Sequence, residues 1–288
     1  MKKLLALLLA LVMVLSLAAC GGSGDAKADA PAAGGTANDG DASNDPAVTL
    51  VYAEVNPLDT IVGQTGTFFA EKVAELSGGS IKLDVQAAGV LGSENDVLDA
   101  MVGGSDSIDI SRISAFALSN YGCTKASLLT IPYTFVDRAH WWNFANSDLA
   151  PEFLNEPQTI GLPLRGICYG EEGFRHFFIK DGVEVKGLED LKGLKIRVPE
   201  SQLYLDVWSA LGATPLGLAL PELAPALANG TAEGQDNATY HLVANATYDS
   251  IKYFSNINYM WMGCTMAVNA VKWNSLAPEV QEILKEQE

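Results

Sequence analysis

Two arginines lie inside short apolar segments that are predicted to be β-strands, and they are the residues best suited to binding an ion. Arg175 lies in residues 173–177 and Arg197 in residues 193–199. A charge on a buried strand is costly unless it is compensated, and a guanidinium offers a carboxylate two parallel hydrogen bonds. The two arginines could therefore hold one anion. The alternative is that the arginines form internal salt bridges or lie at the sheet edge. Judged by their position in strands alone, this alternative is favoured over anion binding.

The histidines and cysteines show no pattern typical of catalysis or metal binding. Outside the N-terminal segment they are His140, His176, His241, Cys123, Cys168 and Cys264. Their spacing matches no zinc site, and the chain contains no CxxC, GxSxG or HExxH motif. We expect no metal, no cofactor and no enzymatic activity; a secreted hydrolase is the alternative. The odd number of cysteines indicates buried thiols, or one disulfide with one thiol left over.

Strands and helices alternate in the part of the chain that would position these residues. Strands are predicted at residues 49–55, 80–86 and 107–111, and helices at 60–76 and 92–103. Ser93 has the residue type of a helix N-cap. This β-α-β-α-β order predicts an α/β layer with parallel or mixed strands.

The second half of the chain continues the alternation. Strands are predicted at residues 160–169, 174–178, 195–198, 232–237 and 259–269. Helices are predicted at residues 136–145, 188–191, 201–211, 221–228, 240–253 and 278–287. A body of about 240 residues is long for one core and typical of two.

The N-terminus has the pattern of a secretory signal. Lys2 and Lys3 precede an apolar run over residues 4–15, and small residues lead to Cys20. The run is shorter than the roughly 20 residues of a membrane-spanning helix. Residues 17–20 look like a bacterial lipobox, in which Cys20 is acylated; a secreted protein with an incidental cysteine is the alternative. Residues 21–47 are too poor in large apolar side chains to fold and are predicted to be a tether.

The composition limits the partners. The formal net charge is −17, and 48% of the residues are hydrophobic. Such an acidic chain is unsuited to nucleic acid, whose binding needs Lys and Arg contacts to phosphate, and to anionic lipid surfaces. A small anionic ligand remains possible where arginines are concentrated locally.

Several ordered motifs resemble the solute-binding proteins of tripartite ATP-independent periplasmic (TRAP) transporters, of the dicarboxylate-binding type. The resemblance covers roughly residues 48–288 and is densest between 187 and 237. Its motifs are residues 91–94, 131–133, 193–201, 211–215, 221–230 and 234–237. The resemblance implies that Arg197 forms a bidentate salt bridge with a ligand carboxylate, that Arg175 assists, and that Asn237 also contacts the carboxylate.

Four further residues are candidates for lining the site. Leu220 stands where many family members have an aromatic residue that packs on the ligand. Glu94, Arg112 and Ser114 could line the opposite wall of a cleft. Glu94 is equally suited to the first turn of a helix, and Arg112 could be exposed.

The resemblance also implies a domain organisation and a fold. The fold class is α/β, a two-lobed periplasmic-binding-protein-like fold with mixed sheets and a ligand cleft between the lobes. The predicted parts are a signal peptide at 1–19, a lipidated Cys20 and tether at 20–47, lobe I at 48–172, lobe II at 173–262 and a return segment at 263–288. Because the sequence ends inside a predicted helix where the family continues, we expect a C-terminally truncated chain.

The expected function follows from the same resemblance. It is the capture of a small organic anion, a carboxylate, outside the cytoplasm for a TRAP-type permease, with the lipid on Cys20 as the membrane anchor. A ligand-sensing protein for a membrane receptor and a binding protein of an ABC importer are the alternatives.

Overall fold

Eight strands form one mixed sheet in the computed structural model, which describes residues 46–285. The strands are β1 Val48–Ala53, β2 Ile81–Gln86, β3 Ile110–Ser114, β4 Leu164–Lys180, β5 Lys195–Val198, β6 Thr214–Gly217, β7 Gly234–Ala238 and β8 Ile251–Asn269. Their order across the sheet is β2-β1-β3-β8-β4-β7-β5-β6. Parallel pairs form at both ends and antiparallel pairs in the middle.

Helices connect these strands. The α-helices are α1 Ile61–Leu76, α2 Glu94–Val102, α3 Ala115–Ser119, α4 Thr124–Leu128, α5 Arg138–Ala145, α6 Ala150–Leu154, α7 Glu156–Thr159, α8 Gln202–Ala210, α9 Leu223–Ala228, α10 His241–Ala244, α11 Ala270–Ser275 and α12 Pro278–Lys285. Two 3-10 turns cover Leu188–Leu191 and Leu220–Glu222. No helix of residues 46–285 is both long and apolar enough to cross a bilayer.

The start of α2 shows how the sequence fixes a local structure. Ser93 is the N-cap, and its side chain accepts a hydrogen bond from the backbone N–H of Asp96. The Asp96 carboxylate in turn accepts from the backbone N–H of Ser93 at 2.8 Å. This reciprocal capping box satisfies two backbone donors, and it confirms the N-cap prediction.

The two central strands span both halves of the sheet. β4 and β8 have 17 and 19 residues and pair antiparallel over most of their length. β3 pairs with residues 264–268 at one end of β8, whereas β7 pairs with residues 175–179 at the other end of β4. The predicted boundaries between lobes, after residues 172 and 262, fall within these two strands; the division itself stays a prediction.

Two secondary-structure predictions around these strands are wrong. The strands predicted at residues 160–169 and 174–178 are one strand, because the glycines between them are accommodated by a bulge between Glu171 and Gly173. The helix predicted at residues 240–253 is only the short α10, and β8 already begins at Ile251. Pairing with β4 overrides the weak helical periodicity of this segment.

An aromatic cluster packs one side of β8 against α5. Trp141 is fully buried there, with Phe135 and Trp261 in the same cluster. Gly263 lies beneath the indole, and a Cβ atom at that position would come within 2.1 Å of the Trp141 ring. The absence of a side chain at Gly263 is therefore what allows the tryptophan to close the core.

The substitution Gly263→Ala is expected to lower the free energy of unfolding by about 1–3 kcal/mol, since the extra methyl overpacks a rigid buried ring. Chemical denaturation measures this. Gly217→Ala is the matched control, because its Cβ would meet Leu205 at an ordinary 3.6 Å. Equal losses for the two variants would contradict the close approach.

Candidate functional site: a cleft with an unpaired arginine

All the residues that the sequence predicts for a ligand site line the same cleft in the described part of the chain, residues 46–285. Its lining includes Arg197, Arg175, Asn237, Glu94, Leu220, Arg112 and Ser114. These residues come from the start of α2, from strands β3, β4, β5 and β7, and from the second 3-10 turn. The sheet brings them together because β5, β7 and β4 are adjacent on one side and β3 and β8 on the other.

Arg175 is neutralised by an internal ion pair. Its guanidinium is 1% exposed and donates from Nε to Asp236 Oδ1 at 3.1 Å and from Nη2 to Asp236 Oδ2 at 3.1 Å. Burial alone would lower the pKa of Arg175, but the Asp236 carboxylate raises it above its usual value. Among the described residues Nη1 donates only to the sulfur of Met262, at 2.8 Å, which is a weak acceptor.

Arg197 is buried without a counter-ion. It is 3% exposed, and its Nε and Nη2 donate to the carbonyl oxygen of Leu218 at 2.9 and 2.6 Å. Among the residues that the structure describes, no carboxylate lies within ion-pair distance of its guanidinium. Burial, and after it the neighbouring Arg175, lower the pKa of Arg197 to about 10, although Asp236 acts in the opposite direction. At neutral pH the cleft therefore holds a buried cation that has no ion-pair partner within residues 46–285.

Asn237 lies beside this cation on β7. The register places Gln235 of β7 opposite Arg197 of β5. Asn237 is 2% exposed, and its Nδ2 donates to Gln235 Oε1 at 3.3 Å. Leu220 lines the same cleft from the 3-10 turn.

Arg112 lies on the opposite side of the cleft and is surrounded by glutamates. Its guanidinium is 3.1 Å from Glu54 Oε2, 3.4 Å from Glu94 Oε1 and 2.6 Å from Glu172 Oε1. The side chain is buried, so the alternative of an exposed arginine is wrong.

Glu94 combines the two roles that the sequence left open. It is the first residue of α2, and its Oε1 accepts hydrogen bonds from the backbone N–H and the hydroxyl of Ser114 at 3.0 and 2.8 Å. Burial raises the pKa of the Glu94 carboxyl, although Arg112 lowers it in part.

Four residues of this wall have no motif to mark them: Glu54, Asn56, Glu172 and His241. Glu172 occupies the bulge of β4 and accepts from Tyr240 and His241 at 2.8 and 3.1 Å. Burial alone would raise the pKa of Glu172, but Arg112 and the hydrogen bonds hold it at about 2. Glu54 and Asn56 follow the carboxyl end of β1, a position that could have indicated them.

Cys123 and Cys264 are buried free thiols, and burial raises the pKa of Cys123 to about 12. Within residues 46–285 no group of three or more His, Cys, Asp or Glu side chains is arranged to hold a metal ion.

Solved structures of two-lobed periplasmic binding proteins have the same fold as this chain, with its mixed α/β sheet and its charged cleft. This similarity confirms the predicted fold class. The chain belongs to the bacterial extracellular solute-binding protein family 7 (DctP), the solute-binding proteins of TRAP transporters, whose family model matches residues 52–287. The members of this family are extracytoplasmic binding proteins.

Individual relatives agree with this assignment. A solute-binding protein of Roseobacter denitrificans is 29% identical over 74% of this chain and 63% of its own length. The C4-dicarboxylate-binding protein DctB of Bacillus subtilis is 25% identical over 83% of this chain and 67% of its own. The chain thus spans about two thirds of the length of these relatives.

A solved structure shows the same fold. It is a TRAP periplasmic solute-binding protein of Bradyrhizobium sp. BTAi1 in complex with galacturonate, 26% identical, with a TM-score of 0.77 over 83% of this chain and 78% of that chain.

Proposed function

We propose that this protein captures a small organic anion through a carboxylate that binds Arg197, and delivers it to a TRAP-type permease. The proposal rests on the difference in ion pairing among the three arginines of the cleft. Arg175 and Arg112 already have carboxylate partners, whereas Arg197 has none among the described residues. A buried and uncompensated guanidinium is costly, and a ligand carboxylate would supply the missing charge through a bidentate hydrogen bond.

Two neighbours complete the proposed anion site. Among the described residues Arg175 Nη1 has only the weak acceptor Met262, so it can donate to a ligand oxygen placed in the guanidinium plane while Nε and Nη2 stay on Asp236. Asn237 offers its amide beside Arg197. The same family membership supports the permease as partner, and it supports a binding role rather than catalysis.

The N-terminal proposals rest on sequence alone. We propose that residues 1–19 are a signal peptide and that Cys20 carries a lipid that anchors the protein at the outer face of the cell membrane. Both lie outside the described residues. Labelling with a radioactive fatty acid, with Cys20→Ser as the control, tests this; labelling that persists in the variant would contradict it.

Thermal unfolding with a panel of organic acids tests the binding function. A ligand at about 100 times its dissociation constant adds about 2.7 kcal/mol of stability to the folded state. We expect a clear shift with at least one carboxylate and none with the corresponding amide, which lacks the charge. A folded protein whose transition moves with no acid would overturn the proposal.

Affinity for the acid should also depend on pH at the alkaline end. The pKa of Arg197 is lowered to about 10, so deprotonation begins within a reachable range. Because the carboxylate binds the protonated form, affinity is expected to be constant near neutrality and to fall as pH rises through about 10. Calorimetric titrations at pH 7 to 10.5, on protein whose folding is checked by circular dichroism, measure this. Undiminished affinity at pH 10.5 would contradict the assignment.

A further inference from the structure

The wall of the cleft opposite Arg197 carries acceptors and negative charge rather than a second anion site. We propose that the ligand is a monocarboxylate whose other end donates hydrogen bonds, through hydroxyl or ammonium groups, to Asn56 and Glu94, and that a ligand with a second carboxylate at that end is rejected. This inference rests on the proposed binding of the first carboxylate by Arg197.

Arg112 cannot serve as a second carboxylate clamp in this arrangement. It is the cation of that wall, and each of its donor nitrogens is already occupied. Nε donates to Glu54 at 3.1 Å, Nη1 to Glu172 at 2.6 Å, and Nη2 to Glu54 at 3.4 Å, with Glu94 also 3.4 Å from Nη2. A ligand carboxylate would have to compete for Arg112 with the glutamates that already surround it.

Asn56 is the clearest sign of a missing donor. It lines the cleft, is 1% exposed, and its Oδ1 has no hydrogen-bond partner among the described residues. The orientation of its amide is fixed, because Nδ2 donates at 2.7 Å to Glu54 Oε1, and a carboxylate oxygen can only accept. A buried acceptor without a donor is costly, so the free Oδ1 indicates a ligand O–H or N–H.

Glu94 supplies a second acceptor on the same wall. Its Oε1 is occupied by Ser114. Its Oε2 makes no hydrogen bond within residues 46–285, and the side chain lines the cleft at 13% exposure. A hydroxyl or ammonium group of the ligand would satisfy this oxygen and the Asn56 oxygen from the same end.

The charges of the wall oppose a second carboxylate. Arg112 faces the carboxylates of Glu54, Glu94 and Glu172, so negative groups outnumber the positive group. His241 adds no charge at neutral pH, because burial lowers its pKa in spite of its contact with Glu172. Like charges brought together in a desolvated site repel each other.

Matched sets of acids with equal carbon number test the inference by calorimetry. For six carbons the set is gluconate, 6-aminohexanoate, hexanoate and adipate, and the corresponding sets of three to five carbons cover other ligand lengths. We expect the hydroxy acid or the amino acid of one set to bind at least tenfold more tightly than the unsubstituted acid and the dicarboxylate. Tighter binding of the hydroxy acid identifies a hydroxyl group as the donor, and tighter binding of the amino acid identifies an ammonium group. A dicarboxylate that binds as tightly as either would overturn the inference.

Two substitutions assign the effect to this wall. Asn56→Ala and Glu94→Gln are expected to reduce the preference for the donor-bearing acid about tenfold, and Glu94→Gln should also tighten binding of the dicarboxylate because a repelling charge is removed. Glu71→Gln, an exposed position on α1, is the matched control and should change nothing. Unchanged preferences in both wall variants would overturn the inference.

The outcomes separate this inference from the proposed function. If no acid of any set binds, both fail together. If the unsubstituted acids and dicarboxylates bind equally well, and Arg197→Ala abolishes that binding, the carboxylate site stands and only the donor requirement falls.

Discussion

Replacing Arg175 with methionine is expected to destabilise the ligand-free protein by about 3–5 kcal/mol, since the substitution leaves the buried Asp236 carboxylate without its partner. Asp236 is fully buried, and within residues 46–285 its carboxylate accepts three hydrogen bonds, all of them from Arg175. The loss is measured by chemical denaturation without ligand. The exposed pair of Lys125 and Glu152 supplies the control, because Lys125→Met should cost no more than about 1 kcal/mol.

A second variant separates the lost ion pair from lost packing. The double substitution Arg175→Met with Asp236→Leu removes both charges, and replacing a buried pair by apolar groups of similar volume is often close to neutral. We expect it to recover most of the stability lost in the single variant. A double variant that is less stable than Arg175→Met alone would contradict the view that the uncompensated charge dominates.

Replacing Arg197 with methionine is expected to have the opposite pattern. Ligand binding should weaken by about 2–5 kcal/mol, the cost of removing one partner of a buried charge pair. The ligand-free protein should be as stable as the unaltered protein or more so, because the variant removes a buried charge that has no counter-ion. Arg197→Lys should also bind poorly, since an ammonium lacks the fork of a guanidinium.

Calorimetry measures the ligand affinity of the variant, and chemical denaturation of the same preparation measures its free energy of unfolding. The contrast with Arg175 is the decisive comparison, because the two arginines are similarly buried but differ in whether they are paired. If Arg197→Met lost stability as Arg175→Met does, then Arg197 would have a structural partner. Its role in binding would then have to be abandoned.

The sequence could predict the parts of this protein that depend on local patterns. The helix N-cap at Ser93 and the strand carrying Arg197 are where residue type and alternation place them. The motif between residues 187 and 237 indicated the family, and the cleft contains all seven side chains chosen for it.

What the sequence could not predict depends on contacts between distant segments. Residues 251–254 became strand because β4 lies beside them. Asp236 pairs with Arg175 across 61 residues of chain, and Arg112 reaches Glu172 across 60. The bulge that turns Glu172 into the cleft arises from pairing of two long strands, and periodicity within one strand contains no signal for it.

The division of the cleft between two stretches of chain has a consequence for how such proteins diverge. The proposed carboxylate anchor is encoded by residues 175–237, whereas the two proposed ligand acceptors of the facing wall, Asn56 and Glu94, are encoded by residues 56–94. Recombination could replace the N-terminal of these two segments, which carries the wall, with that of a relative. The exchange would change which chemical groups the far end of the ligand needs and would leave the carboxylate anchor intact. The ligand specificity of such a protein could therefore change through exchanges confined to one end of its gene.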